Sequence, residues 1–212
     1  MVADAYPLPL IWNNLQLAAG SKFYTTSDCN WGCWNIPLSE CSKPLTAFVS
    51  AAGHYEFNVL PFGIKNAPGE CQRVVDKIFA GLPGKNVLVY IDDIVIYTST
   101  FEEHLELLAD VLNRCCQTGL YLKINKSELC KHSVQLLGHE VSSEGIRPSQ
   151  RKVEAVKKSR APQNKQELRS LLGLLGYVRR FVPRFADIAY PLNKLMSQDE
   201  PFVWGEEQET AF

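Results

Sequence analysis

The segment VLVYIDDIVIY, residues 87–97, sets two adjacent carboxylates inside an otherwise apolar run. Strand-forming residues on both sides predict that Asp92 and Asp93 lie on or between two buried strands. A buried, unpaired carboxylate is costly, so such groups normally protonate, pair or bind a metal ion. The pair could form a plain hairpin turn, since Asp is a good turn former, or a hairpin that presents its carboxylates for chemistry. A plain turn would favour Asp-Gly or Asn-Gly, and Ile91 is a poor solvent-facing turn residue, which favours the second interpretation.

The chain of 212 residues is long enough to bury a sizeable core and could hold one large or two small domains. No apolar run reaches the length of a bilayer span, and the N-terminus lacks the charged start and apolar core of a signal peptide. We therefore expect an intracellular protein without a membrane partner. Its seven cysteines are odd in number and form no CxxC pair, which argues against a disulfide framework or a zinc cluster and favours buried free thiols.

Charge is divided by position along the chain. Residues 1–112 carry six basic side chains against twelve acidic ones, whereas residues 147–184 carry eleven basic side chains against two acidic ones. Such a division is typical of an acidic catalytic or metal-binding half joined to a half that grips phosphates. The alternative is a solvated basic helical face, because the basic residues alternate with apolar ones at helical spacing.

The sequence of the first half of the chain predicts mostly strands. The segment KFYTTS is rich in β-formers and predicts that Asp28, just after it, lies at or near a strand end. Residues 45–49 and 55–59 predict a pair of strands around residues 51–54, with Gly53 as the turn. A helix is predicted from about residue 69 to residue 81, before the strands around the Asp pair.

A second helix is predicted from the capping box of Thr100 and Glu103 to Gly119. Strands are predicted to follow over residues 121–124 and 134–141.

Beyond Pro148 the pattern is helical, with Asn164 and Glu167 at the start of one helix and a last helix over residues 186–196. Periodicity and charge change together at residues 143–148, which is the natural domain boundary.

Two adjacent carboxylates with a third on a neighbouring strand form a hard-oxygen site suited to Mg²⁺ or Mn²⁺. In nucleotidyl transfer, two such ions about 3.5–4 Å apart activate the attacking hydroxyl and stabilise the leaving oxygen. Asp28 fits as the third member, because it is flanked by predicted strands and lies close to Gly32. On spacing alone, other acids such as Asp76 or Glu56 compete for that place.

Read together, the motifs resemble the reverse transcriptases of Ty3/gypsy-type retrotransposons and, more distantly, of retroviruses. Tyr90 to Asp93 resembles the Tyr-x-Asp-Asp box of that family. AYPLP near the N-terminus, the Ser-Asp before Gly32 and Thr46-Ala47-Phe48 resemble the first catalytic block. GHYEFNVLPFGIKNAP followed by Gln72 resembles the next block, and LLGHEVSSEGIRP the block after the hairpin. The tail from Leu168 to Phe185 resembles the polymerase thumb, so the resemblance covers nearly the whole chain.

The resemblance implies an α+β fold, the right-hand polymerase, in which an antiparallel palm sheet with helices is followed by a helical thumb. Palm and partial fingers would occupy residues 1–142, and the thumb, leading towards a ribonuclease H domain, residues 143–212. The implied activity is RNA-directed DNA polymerisation, transferring a nucleotide from a dNTP to a primer 3′-hydroxyl on an RNA or DNA template. The implied partners are the template-primer duplex, the dNTP, and ribonuclease H and integrase domains of a parent polyprotein. Such enzymes act in cytoplasmic particles or in the nucleus.

The resemblance also implies roles for single residues. Asp28, Asp92 and Asp93 would be catalytic and, with the backbone carbonyl of Cys29, would hold two ions of Mg²⁺ or Mn²⁺. The residues expected near the incoming nucleotide are Cys33 and Phe62. The residues expected to contact template or primer are Gly63, Lys65, Pro68, Tyr90, Leu137, Gly138, His139, Arg179 and Arg180. Taken singly, these residues have structural alternatives, such as turn formers at the glycine and proline positions or a surface amine at the lysine.

Three departures from the family pattern set further expectations. Gly32 is followed by Cys33 where the family has an aromatic residue that rejects a 2′-hydroxyl, so ribose discrimination should weaken. The chain begins at AYPLP, without the upstream fingers whose basic residues clasp the triphosphate, so charge stabilisation of the transferred phosphate should suffer. It stops at Phe212, where a ribonuclease H domain would be starting. A catalytically silent nucleic-acid-binding remnant and a purely structural role are therefore alternatives to an active polymerase.

Overall fold

The computed structural model describes residues 6–30, 32–82, 86–197 and 200–212. The chain divides into two compact units. The first unit comprises the residues up to Leu137 together with Val141–Ile146. The second comprises Gly138–Glu140 together with Arg147–Phe212. Helices occur together with antiparallel strands, as the predicted α+β class requires.

The secondary structure follows the chain in this order. The strands are β1 (Phe23–Asp28), β2 (Phe48–Ser50), β3 (Gly53–Tyr55), β4 (Val87–Tyr90), β5 (Asp93–Thr98), β6 (Glu128–Lys131), β7 (Ser133–Leu136), β8 (His139–Ser142) and β9 (Gly145–Pro148). The α-helices are α1 (Ile11–Ala18), α2 (Ala67–Ile78), α3 (Phe101–Thr118), α4 (Gln150–Lys157), α5 (Lys165–Val178), α6 (Phe185–Lys194) and α7 (Glu206–Ala211).

The first unit is built on an antiparallel sheet in the order β4-β5-β1-β6. Ile94 and Ile96 of β5 pack on one face of this sheet with α2 and α3. Val95 and Tyr97 pack on the other face with Leu15 of α1. A strand that is buried on both faces is apolar at successive positions, because its side chains alternate between two cores. This placement explains the unbroken apolar run after the Asp pair.

A short hairpin pairs β2 with β3, with Ala51 and Ala52 in the turn. The predicted bounds of this strand pair, and the prediction of Gly53 as the turn residue, are therefore wrong. Leu45 and Thr46, predicted to begin the first strand, belong instead to the 3-10 helix Lys43–Thr46, and Pro44 lies in the first turn of that helix, where a fixed φ suits a helical start. Gly53 opens β3 with a φ of 134°.

The single strand predicted over residues 134–141 is also wrong, because β7 and β8 are separated by a turn. Leu137 and Gly138 form this turn with φ angles of 48° and 82°. Positive φ at both central positions is the type I′ hairpin geometry, which glycine adopts readily. Strands β7, β8 and β9 form a sheet in that order. Of the strand predicted over residues 121–124, the structure has an isolated bridge between Cys29 and Leu122.

The predicted helix boundaries are more accurate where a cap is present in the sequence. Thr100 Oγ1 accepts the backbone N–H of Glu103 at the start of α3, and Gly119 ends that helix with a φ of 70°. Asn164 Oδ1 accepts the backbone N–H of Glu167 at the start of α5. Both starts follow the predicted capping pattern.

The second unit contains the helices α4 to α7. Its core forms where Leu168 and Leu171 of α5 pack against Leu192 of α6 and Leu195 just beyond it. The spacing of the two α5 leucines places them on one face of the helix, as the sequence periodicity predicts. No helix in the described parts of the chain is long and apolar enough to cross a membrane.

Cys33 and Cys71 form a disulfide, so the prediction of free thiols is wrong for this pair. The 3-10 helix Gly32–Asn35 packs against α2 and brings the two Cα atoms to 5.6 Å, within the range that a disulfide spans. Spacing along the chain could not predict this contact, since the cysteines are 38 residues apart. Buried free thiols are confirmed for Cys29 and Cys115, whereas Cys41 and Cys116 are free but exposed and Cys130 is partly buried.

We expect removal of this disulfide to destabilise the first unit. A crosslink between residues 38 apart restricts the unfolded chain by up to about 4 kcal/mol in the chain-entropy model. Urea unfolding of Cys71→Ser should therefore show a lower free energy of unfolding than the oxidised wild type, and reduction of the wild type should reproduce the loss. Cys116→Ser, at an exposed free cysteine, is the matched control. Equal midpoints with and without reductant would contradict the crosslink.

Candidate active site

Asp28 and Asp93 lie opposite each other at the end of the β1–β5 ladder. Asp28 is the last residue of β1, Asp93 is the first of β5, and the antiparallel register pairs them directly. Opposed residues in such a pair have Cβ atoms about 4.5–5.5 Å apart, so the two carboxyl groups share one space. Asp92 directly precedes β5, and its backbone carbonyl accepts the N–H of Cys29 at 2.7 Å. The structure therefore brings the three predicted carboxylates to one end of the sheet.

Burial and mutual repulsion raise the pKa values of Asp92 and Asp93. The pKa of Asp93 is raised to about 6 by burial first, then by the charge of Asp28, a hydrogen bond with Asp28 and the charge of Asp92. Burial also raises the pKa of Asp92, against the opposing charge of Lys123 and with a further increase from Asp28. A cation placed among the three carboxylates would relieve this repulsion.

The neighbouring Cys29 offers no thiolate. Burial, and then the charges of nearby groups beginning with Asp92, raise the pKa of its thiol to about 12, so the thiol is neutral near pH 7. The donors at the site are therefore oxygens, which suit hard cations such as Mg²⁺ and Mn²⁺. Within the described ranges, no group of three or more His, Cys, Asp or Glu side chains is already arranged to hold a metal ion. The donor chemistry fits such an ion, and the carboxylates would adjust to bind it.

A lysine that no sequence motif indicates lies beside the carboxylates. Lys126 Nζ is 3.9 Å from Asp28 Oδ2, and both side chains are partly exposed. Lys126 also lines a cavity of about 210 Å³ with Asp28, Asp93 and Leu137. The lysine belongs to the 3-10 helix Ile124–Lys126, a segment without hydrophobic periodicity or a recognisable motif. No pattern in the sequence indicates its place, because only the fold brings it to the sheet end.

The two-residue loop of the β4–β5 hairpin has a strained backbone. Tyr90 and Asp93 form the last pair of this hairpin, so Ile91 and Asp92 make the loop, here called the Ile91–Asp92 turn. Ile91 has a φ of 55°, a left-handed conformation that a β-branched residue rarely adopts and that costs about 1–3 kcal/mol. The Ile91 N–H donates to Oε1 of Gln72 at 2.7 Å. The sequence indicates Gln72 as part of a family block but gives it no role.

The residues expected near the nucleotide differ in exposure. Cys33 is 5% exposed and is bonded to Cys71. Phe62 is 63% exposed, and its ring centroid lies 5.6 Å from that of Trp34. Phe62 is thus an accessible apolar surface, whereas Cys33 is a buried part of the disulfide that packs beneath Ile91 in a small apolar cluster. Their roles stay predictions.

The residues expected along the template lie around the start of α2. Gly63 and Lys65 line a cavity of about 750 Å³ that also includes Leu45. Gly63 has a φ of 88°, so a left-handed turn there requires glycine's freedom. Pro68 occupies the first turn of α2, where its missing N–H costs nothing. The turn-former alternative therefore applies to both residues, in addition to any contact with template.

The residues expected at the primer and along the duplex belong to a turn and to a helix end. Leu137 lines the cavity beside the paired carboxylates, and Gly138 completes the β7–β8 turn. His139 is 8% exposed and has its ring centroid 5.9 Å from that of Phe181. In the second unit, the exposed residues Arg179 and Arg180 form the 3-10 helix that follows α5.

Residues 2–141 match the family model described as reverse transcriptase (RNA-dependent DNA polymerase). The chain is 36% identical over 197 residues to the retrovirus-related Pol polyprotein from transposon 297 of Drosophila melanogaster, covering 93% of this chain and 19% of that protein. It is also 36% identical over 207 residues to the enzymatic polyprotein of cauliflower mosaic virus, strain Strasbourg, covering 97% of this chain and 30% of that protein. The chain therefore spans less than a third of the length of these relatives.

Solved structures of foamy viral reverse transcriptases are among those that share the fold. The foamy viral protease-reverse transcriptase dRH in complex with double-stranded DNA has a TM-score of 0.91 at 27% identity, covering 99% of this chain and 37% of that one. The foamy viral protease-reverse transcriptase in complex with an RNA/DNA hybrid has a TM-score of 0.88 at 28% identity, covering 99% of this chain and 29% of that one. The predicted polymerase fold class is confirmed by this likeness.

We expect Asp93 to titrate well above an ordinary aspartate. Carboxyl ¹³C NMR should give an apparent pKa near 6 for Asp93, and Asp28→Asn should lower it by removing the largest neighbouring charge. Since the folded-state pKa lies above the ordinary 3.8, the native state keeps a proton that the unfolded chain has lost between about pH 4 and 6. The free energy of unfolding should therefore fall as pH rises through that window.

The exposed Asp110 on α3 provides the control for this titration. Asp110→Asn should leave the Asp93 titration unchanged, and Asp93→Asn should remove its contribution to the pH dependence of unfolding. An Asp93 pKa near 4 that does not respond to Asp28→Asn would contradict the proposed sharing of one space by the two carboxyl groups.

Proposed function

The chain belongs to the reverse transcriptase (RNA-dependent DNA polymerase) family, and from this premise we propose that it catalyses nucleotidyl transfer. The proposed reaction joins a dNTP to a primer 3′-hydroxyl that is paired with an RNA or DNA template. The observation that carries the proposal is the direct pairing of Asp28 with Asp93, next to Asp92. Three carboxylates at one end of a sheet supply the negative charge that divalent cations require. The raised pKa values of two of them are typical of functional sites.

Asp28, Asp92 and Asp93, with the backbone carbonyl of Cys29, would hold two Mg²⁺ or Mn²⁺ ions. When bound, such ions lower the pKa of the attacking hydroxyl and neutralise charge on the leaving oxygen. A carboxylate binds a cation in its ionised form. Because the pKa of Asp93 is raised to about 6, cation binding at this site should strengthen as the pH rises through about 6. Lys126, 3.9 Å from Asp28, adds a positive charge at the edge of the site.

The reactants would be oriented by residues around the carboxylates. The exposed ring of Phe62, beside Trp34, offers an apolar face near which the incoming nucleotide would lie. Gly63 and Lys65 would contact the template from the cavity that they line. Leu137, which lines the cavity beside Asp28 and Asp93, would contact the primer together with Gly138 and His139. Cys33 and Pro68 would support the nucleotide and template contacts indirectly. Cys33 links the 3-10 helix Gly32–Asn35 to α2 through the disulfide, and Pro68 lies in the first turn of α2.

The second unit would bind the phosphates of the template-primer duplex. Eleven basic side chains between residues 147 and 184, against two acidic ones, support this role. Among them, Arg179 and Arg180 are exposed at the end of α5, where each can reach a phosphate with a charge-assisted hydrogen bond. The similar foamy viral structures are complexes with double-stranded DNA and with an RNA/DNA hybrid, which supports a duplex as the partner.

We expect the purified chain to extend a DNA primer on an RNA template in the presence of Mg²⁺ or Mn²⁺. Asp92→Asn and Asp93→Asn should each lower the single-turnover rate by about 100-fold or more, because each removes a carboxylate that would hold the divalent ions beside the reacting phosphate. Asp110→Asn, an equal loss of charge at an exposed position on α3, should leave the rate unchanged.

The alternative function, a silent nucleic-acid-binding remnant, gives a different result in the same samples. It predicts no carboxylate-dependent product, together with salt-sensitive duplex binding that weakens in the Arg179→Gln, Arg180→Gln double variant. For that variant the slope of log K against log salt should fall by about 2, one for each lost phosphate contact. Lys22→Gln with Lys77→Gln, an equal loss of charge in the first unit, is the control. If the chain shows neither synthesis nor duplex binding, only a structural role remains.

A further inference from the structure

Gln72 is a fully buried amide in α2 that contacts the backbone on both sides of Tyr90. Its Oε1 accepts the N–H of Ile91 at 2.7 Å, and its Nε2 donates to the carbonyl of Val89 at 3.1 Å. Nε2 also donates to Oδ1 of Asp76 at 2.9 Å, one turn along the same helix. The side chain is 0% exposed, so its hydrogen bonds are made to protein groups and not to water. A polar group buried in this way is costly unless its bonds are made.

We propose that Gln72, oriented by Asp76 and Tyr6, is the positioning residue that holds the Ile91–Asp92 turn in its left-handed conformation. In this role Gln72 and Asp76 touch no reactant. They act through the turn, which sets where Asp92 and Asp93 project from the sheet. The kinetic consequence of this inference rests on the proposed function, whereas its structural consequence does not.

The turn requires an external bond because its sequence does not suit its shape. A two-residue hairpin loop with positive φ at the first position normally has glycine there, yet here Ile91 has a φ of 55°. The Ile91 side chain packs against a buried cluster that includes Cys71, Leu60 and Ala67, which accounts for an apolar residue at this position. Packing thus favours isoleucine while the backbone disfavours it, and the Gln72 bond offsets the difference.

Asp76 reinforces the orientation of the Gln72 amide that the backbone at Val89 and Ile91 requires. Oδ1 of Asp76 accepts from the amide nitrogen and the Ile91 N–H donates to the amide oxygen, so the nitrogen faces Asp76 and the oxygen faces Ile91. In the flipped orientation, the amide nitrogen would meet the Ile91 N–H, donor against donor, and the oxygen would meet the carboxylate. The bond from Nε2 to the Val89 carbonyl would be lost as well, so the carboxylate and the two backbone groups together select the one orientation that holds the turn.

Tyr6 connects this pair to the segment before α1. Its hydroxyl donates to Oδ2 of Asp76 at 2.5 Å, the second oxygen of the carboxylate that orients Gln72. The guanidinium carbon of Arg73 lies 5.0 Å from the centre of the Tyr6 ring. A Cβ at Gly69 would come within 3.3 Å of the Tyr6 Cβ, so glycine there permits the close approach. The four residues Tyr6, Asp76, Gln72 and Ile91 are therefore joined by successive hydrogen bonds, here called the turn relay.

The first test is amide hydrogen exchange at Ile91, which requires no activity. The Ile91 N–H should be protected in the wild type, and Gln72→Met should lower its protection by about 10-fold or more while distant amides in β1 keep theirs. Gln117→Met, at an exposed position on α3, is the matched control and should change nothing at Ile91. Equal protection of Ile91 in the wild type and in Gln72→Met would overturn the relay.

The second test measures the rate of single-nucleotide incorporation per correctly folded active site. Gln72→Met should lower this rate by about 100-fold, the size expected when a reacting group is misplaced by about 1 Å, while the Kd for template-primer stays unchanged. Ile91→Gly removes the backbone strain, so adding Gln72→Met to it should cost less than about 10-fold. A purely structural Gln72 would instead lower the folded fraction without changing the rate per active site, and glycine would rescue nothing.

Asp76→Asn keeps Gln72 in place and is the variant to use if Gln72→Met does not fold. It should lower the incorporation rate by about 10-fold, because an amide at position 76 has one acceptor oxygen in place of two and holds the Gln72 amide nitrogen less strongly. Tyr6→Phe should act in the same direction, and Asp110→Asn is the control. A wild-type rate in Asp76→Asn would overturn the orienting role of Asp76. Absence of incorporation by the wild type would instead overturn the proposed function, and the exchange experiment would still decide the relay.

Discussion

The antiparallel register between β1 and β5 is the constraint on which the rest of the site depends. It pairs six residues of each strand and ends by placing Asp28 directly opposite Asp93. A shift of one residue would send every side chain of β5 to the opposite face. The apolar residues of β5 fill two cores, on either side of the sheet, so such a shift would exchange their places in both. Packing on two faces therefore fixes the position of the carboxylates.

The same arrangement concentrates unfavourable interactions at one end of the sheet. Two carboxylates are forced together, a β-branched residue takes a left-handed conformation, and a thiol is buried beside the acids. Interactions in the surrounding structure offset these costs: the hydrogen bond from Ile91 to Gln72, the apolar cluster beneath Ile91 and the hydrophobic cores of the sheet. Backbone strain that is held in this way is common at functional sites. It is consistent with a site that is completed when a cation and substrate bind.

The parts that the sequence predicts are those with a local physical signal. The apolar run around Asp92 and Asp93 predicts the hairpin, and the caps at Thr100 and Asn164 predict two helix starts within a residue. Asp28 is predicted at a strand end by the β-formers before it. These signals are short in range, so the fold class and the grouping of acids can be inferred from them.

The parts that the sequence does not predict depend on contacts between distant segments. Lys126 reaches Asp28 only because the 3-10 helix after α3 returns to the end of β1. Cys33 meets Cys71 through packing of a 3-10 helix on α2, and the left-handed Leu137 breaks a strand that its neighbours favour. The role of Gln72 follows from three hydrogen bonds that no periodicity indicates.

The central claim is that Asp28, Asp92 and Asp93 would act together to hold two divalent cations. The most direct test of this claim is calorimetric titration of Mn²⁺ into the protein bound to template-primer and a non-hydrolysable dNTP analogue. The titration is done at pH 7.5, above the raised pKa of Asp93. The predicted result is two bound ions for the wild type and for Asp110→Asn, with weaker or lost binding in each of Asp28→Asn, Asp92→Asn and Asp93→Asn. Equal Mn²⁺ affinity and stoichiometry in the three variants and the wild type would contradict it.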